Sequence, residues 1–172
     1  MKKILLTLSL ITICSTQINF KLKADAAPTQ ADLSDFANAI KKGDLSKVTE
    51  ILEKYQNNSK HHNTIANHPL KCGERYFNNY IDSSPLLCTI KFGTKSVNDI
   101  VKVLIKYGAN VNEKTRTMVP QTAMDFVIAN RSINKPDAES IRTTLKNAGA
   151  KTGAELEAEF AESNKQVGIR IS

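Results

Sequence analysis

The chain has 172 residues, 41% of them hydrophobic and 24% charged, and carries a formal charge of +7. That length is enough for one domain with a modest core. Removing Lys2, Lys3, Lys21, Lys23 and Asp25 with an N-terminal leader lowers the charge to +4, which takes away the main support for a nucleic-acid binder.

Residues 1–26 have the layout of a secretory signal peptide. Met1, Lys2 and Lys3 form a basic start, residues 4–15 are apolar and uncharged, and Ala24 and Ala26 are small residues at the two positions a signal peptidase reads. Cleavage after Ala26 and an earlier cut near Ser15 or Thr16 both fit. Ile13 stands where a lipidated Cys14 would need a small neighbour. Ser15, Thr16, Gln17 and Asn19 interrupt the apolar run, which argues against a retained anchor. The expectation is a secreted or periplasmic protein with no stable membrane insertion after processing.

Residues 27–31 read as a leader into the fold. Leu33, Phe36, Ala37 and Ile40 then recur at helical spacing over residues 31–41. Gly43 breaks that helix and Asp44 is placed to cap a second over 45–55, whose apolar stripe is Leu45, Val48, Ile51 and Leu52. Residues 56–83 change character. They hold six asparagines, all three histidines, Pro69 and Gly73, and read as a polar insertion with a helical turn near 75–80. Ser84 and Pro85 open the next short helix, with serine as cap and proline in the first turn. After Gly93, residues 100–107 form a helix with a wide buried stripe, ended by Gly108. Residues 121–127 begin a third unit, 130–136 link it to a helix over 137–148, and a short acidic helix over 154–162 closes the chain as a cap and tail (154–172). The stop at Gly149 repeats that at Gly108 after 41 residues, and such periodic punctuation is the mark of stacked units.

The motifs resemble the ankyrin-repeat family over roughly 32–153. Ser84-Pro85-Leu86-Leu87 is similar to the family's opening turn, Ile100-Val101-Lys102-Val103-Leu104-Ile105 to its second helix, and Gly108-Ala109-Asn110-Val111-Asn112 to its close. The resemblance implies an all-α, helix-turn-helix solenoid of about three degenerate ankyrin-like repeats with a long insertion after the first. Unit 1 is 32–55, the insertion 56–83, repeat 2 84–120, and unit 3 121–153. The spacing of 41 exceeds the family period of about 33 residues.

For function, the resemblance implies a protein–protein interaction module whose turns and inner helices select a protein partner. The candidate contact residues are Arg116 and Met118 on the projecting turn, with Lys91, Phe92 and Asn130 at the inner helices. No glycine-rich phosphate loop and no glycine-flanked serine elbow is present, so neither an enzyme nor a cofactor is expected. Asp125 is expected to cap a helix rather than move protons, and Tyr107 and Phe126 to sit in the core. The alternative is a metal-binding or redox protein using His61, His62, His68 and Cys72, although their spacing matches no strong zinc pattern. Cys72 and Cys88 are left as an even pair in an oxidising compartment. They are either two free thiols or a disulfide, which would close a loop of about 15 residues and contribute roughly 3 kcal/mol.

Overall fold

The computed structural model describes residues 27–55, 65–71, 75–76, 79–80, 83–130 and 133–169. The signal peptide expected over 1–26 therefore lies outside the described residues, as do His61, His62 and Cys72. Seven α-helices occur among the described residues: α1 (Gln30–Lys42), α2 (Leu45–Tyr55), α3 (Pro85–Phe92), α4 (Val97–Lys106), α5 (Ala123–Ala129), α6 (Lys135–Asn147) and α7 (Gly153–Ile169). The fold is all-helical apart from a two-residue antiparallel pairing of β1 (Arg75–Tyr76) with β2 (Asn79–Tyr80). That pairing replaces the helical turn expected there, because tyrosine favours a pleated backbone and Leu70 and Ser83 already pair antiparallel.

Local chemistry sets where these helices begin and end. Thr29 and Asp32 form a reciprocal capping box on α1, and Thr122 and Asp125 repeat it on α5. Thr152 and Glu155 do the same on α7, the Glu155 N–H donating to Thr152 Oγ1 at 3.2 Å and the Thr152 N–H to Glu155 at 2.7 Å. On α3 the cap is Ser84, whose hydroxyl accepts from Leu87 N, with Pro85 in the first turn. Helix α6 starts earlier than the sequence suggests, since Asn134 caps it and Pro136 lies in its first turn rather than in a linker. Gly43 ends α1 with φ +72, a conformation that costs glycine nothing.

Helices α1 and α2, α3 and α4, and α5 and α6 pack as three hairpins. Helices α1, α3 and α5 also pack side by side as an inner row, and α2, α4 and α6 as an outer row. The core runs continuously between the rows through Phe36, Ile40, Leu52, Leu86, Ile90, Ile100, Leu104, Ile141 and Leu145. Burying each of these side chains contributes about 1.5–3 kcal/mol, so no hairpin could keep its apolar face dry alone. Tyr107 and Phe126 pack against this core, as expected.

Three residues of the polar stretch join the core as well. A 3-10 turn over Ile65–Asn67 buries Ile65 and Ala66, and Leu70 is buried beside it. Leu70 and Ser83 exchange both backbone hydrogen bonds, at 2.9 and 3.1 Å, and so close the neck of the segment between them. Cys88, buried on α3, is disulfide-bonded.

Two asparagines tie successive units together in the same way. Asn67 donates from Nδ2 to Gly108 O at 2.8 Å and accepts from Asn110 N at 2.6 Å. Asn112 donates to Gly149 O at 3.1 Å and accepts from Lys151 N at 2.8 Å. Each amide thus holds a glycine carbonyl and the N–H two residues later in the next unit. Asn110 Oδ1 accepts from Asn112 N at 3.0 Å, so the two rungs join into one chain of hydrogen bonds. At the N-terminal end, Asp32 of α1 accepts from Lys54 Nζ and Tyr55 Oη of α2, each at 2.6 Å. Lys54, Thr29 and Tyr55 hold its carboxyl far below the usual aspartate range.

Candidate protein-binding surface

Between Asn112 and Thr122 the chain leaves the array as a finger and returns. Its base is closed by Thr115, whose N–H donates to Gln121 O at 2.9 Å while its hydroxyl accepts from Gln121 N at 2.9 Å. Thr117 is within 3.0 Å of that hydroxyl and donates to Val119 O at 2.7 Å. Thr115 is buried, whereas residues 116–120 are exposed. Met118 is 102% exposed and Val119 74%. Leaving a methionine and a valine in water forgoes about 1.5–3 kcal/mol each, so hydrogen bonds within the finger, not packing, hold this tip in place.

The charge of Arg116 acts on Glu113, which is half-buried beside the Ser84 hydroxyl. Burial pushes the Glu113 carboxyl above its ordinary value, and the Arg116 charge and the Ser84 hydroxyl pull it only part of the way back. Ser84 caps α3, so the base of the finger that carries Arg116 and Met118 lies at the N-terminal end of that helix. The other three predicted contact residues lie at its far end, about 9 Å along the helix by its rise. Lys91 is exposed, Phe92 is half-buried against the core, and Asn130 donates from Nδ2 to Ile90 O at 3.0 Å. The five residues thus fall into two groups, and only the first combines an exposed apolar side chain with an exposed cation.

One feature went unread in the sequence. A shallow groove of about 420 Å³ runs along α1, with Leu33, Ala37 and Asn38 on one wall and His68, Pro69 and Lys71 on the other. It lies beside the Leu70–Ser83 neck, as the finger lies beside Thr122, so both features flank the start of an inner helix. The only sequence signal for it was Leu33 and Ala37, which look like core positions and are half-exposed.

Asp125 Oδ2 accepts from Thr122 N at 2.9 Å, Thr122 Oγ1 at 3.0 Å and Gly153 N at 2.9 Å, which makes it a helix cap and a tie to α7. Burial works to raise its pKa, but the Thr122 and Gly153 donors outweigh burial and leave it lowered. Among the described residues no group of three or more His, Cys, Asp or Glu side chains could hold a metal ion. His68 points its Nδ1 to within 3.1 Å of Pro69 O. No helix among the described residues is long and apolar enough to cross a membrane. No family model, curated protein or solved structure matches the chain at a significant level.

Proposed function

We propose that this chain is an exported, non-enzymatic protein–protein interaction module built as a short, degenerate ankyrin-like array, with the finger around Arg116 and Met118 as its contact point. The observation that carries this reading is Met118, fully exposed on a finger closed by its own hydrogen bonds. A preorganised apolar tip loses little conformational freedom on binding, and arginine and methionine are both enriched at interfaces. The array reading is supported by three capped inner helices, glycine stops after both helices of the second hairpin, and asparagine rungs repeated between units. The disulfide of Cys88 fits an oxidising compartment, and Cys72 is the partner we assign to it.

The test is a photo-crosslinking residue at position 118 in the native host, followed by affinity measurement on the protein it captures. The double variant Arg116→Ala/Met118→Ala is expected to bind that protein at least tenfold more weakly with unchanged thermal unfolding. Unchanged affinity would remove the finger from the interface. Intact-mass analysis of the secreted protein tests export separately, with a start near Ala27 expected.

A further inference from the structure

The end of the array opposite the finger carries a row of lysines. The three inner-to-outer turns stack there. A Cβ placed on Gly43 would meet Thr94 Oγ1 at 2.7 Å, and one on Gly93 would meet Ile133 Cγ1 at 3.4 Å, so each turn touches the next. Lys41 and Lys42 flank the first turn, Lys91 and Lys95 the second, and Lys135 follows the third, all five exposed. None forms an ion pair among the described residues. Three acids stand near the same turns. Asp99 pairs with Lys102 at 3.4 Å. Asp44 accepts from Lys47 N at 3.0 Å and Asp137 from Asn134 Nδ2 at 2.6 Å, bonds to neutral donors that leave both carboxylates charged. The five lysines therefore outnumber these acids without being matched by them.

Helix stability explains only part of this row. Lys41, Lys42 and Lys91 lie in the last turns of α1 and α3, where the helix dipole favours a cation. Lys95 and Lys135 sit at the N-terminal ends of α4 and α6, where the same dipole favours an acid. Two cations held against the local preference mark the row as a surface for something anionic. Neighbouring turns stand one helix-packing step apart, about 8–10 Å, so the charges are spread along an edge rather than gathered in a pocket. Lysine is depleted at protein interfaces, whereas rows of lysine near a bilayer are drawn to anionic headgroups. Among the described residues, Ile128 is the one exposed large apolar side chain near this end, so little would insert.

We infer that this lysine edge seats the protein on anionic phospholipid headgroups, leaving the finger with Met118 pointing away from the bilayer. The attachment is electrostatic and peripheral, and it would orient the binding face identified above toward partners in solution.

Sedimentation of the purified chain with vesicles of phosphatidylcholine, with and without phosphatidylglycerol, tests this. Binding is expected only with the anionic lipid at 0.1 M salt and lost at 1 M, where the screening length shrinks to about 3 Å. At about 1 kcal/mol per lysine, Lys95→Gln/Lys135→Gln should lower the partition coefficient about thirtyfold. Lys106→Gln/Lys146→Gln, the same charge change at the opposite end, should lower it less than threefold. Equal losses in the two double variants would reduce the effect to net charge and overturn the assignment. So would equal binding to neutral vesicles, or binding to polyglutamate or RNA in place of the anionic vesicles.

Discussion

Replacing Asn112 with alanine removes both hydrogen bonds of the second rung, to Gly149 O at 3.1 Å and from Lys151 N at 2.8 Å. A protein hydrogen bond contributes about 0.5–1.5 kcal/mol net, and water can reach the freed Gly149 and Lys151 groups, so the expected loss is about 1–2 kcal/mol. For a domain of this size that corresponds to a fall in Tm of about 3–6 °C. Asn112→Asp keeps the acceptor for Lys151 N but sets an oxygen against the Gly149 carbonyl. It should be at least as damaging at pH 7 and recover in acid, once the carboxyl can donate. Because Asn110 links the rungs, Asn67→Ala/Asn112→Ala should lose less than the sum of the singles, with a coupling of about 0.5 kcal/mol or more. Urea unfolding followed by far-ultraviolet circular dichroism measures all of these. An Asn112→Ala protein as stable as the parent would refute the view that these amides hold the units in register, and strict additivity would refute the linkage through Asn110.

Two further outcomes follow from the same geometry. The Glu113 carboxyl titrates above its unfolded value, so the folded state binds its proton more tightly, and stability is lost as pH rises from the unfolded pKa through the raised folded one. Glu113→Gln should therefore stabilise the protein at pH 7 and change little below pH 4, as read from denaturant midpoints across that range. Gly43→Ala and Gly108→Ala both force alanine into a left-handed backbone, at about 1 kcal/mol, but only the first meets a neighbour, Thr94 Oγ1 at 2.7 Å. Gly43→Ala should be the more destabilising by thermal melts, and Thr94→Ala should bring it toward the Gly108→Ala value.

The hairpins were legible where several apolar residues share one face and a glycine stops the helix. Residues 100–108 satisfy both conditions, and α4 with Gly108 forms there. Pro136 was harder, because a proline reads equally well as a linker residue or as the first turn of a helix. Asn134, three residues before Asp137, decides for the helix. The buried Ile65, Ala66 and Leu70 were not legible at all. Three apolar residues in a run of asparagine and histidine define no period, and only the neighbouring α2 and α3 make them core. The rungs at Asn67 and Asn112 depend on partners roughly 40 residues away, which no local pattern encodes. Of the contact residues, the exposure of Arg116 and Met118 followed from their place on a turn. The separation of Lys91, Phe92 and Asn130 from them needed the direction of α3, which lies in the packing.

Leu70 and Ser83 meet backbone to backbone where the chain between them begins and ends. A segment attached in that way imposes no length on the helices beside it. Lengthening a flexible loop costs only about 0.6 kcal/mol per doubling, a small charge against a frame fixed by its core. The neck therefore behaves as a socket in which evolution or an engineer could exchange one peptide for another, provided a cysteine is kept for Cys88, leaving the inner and outer rows undisturbed while changing what the molecule displays.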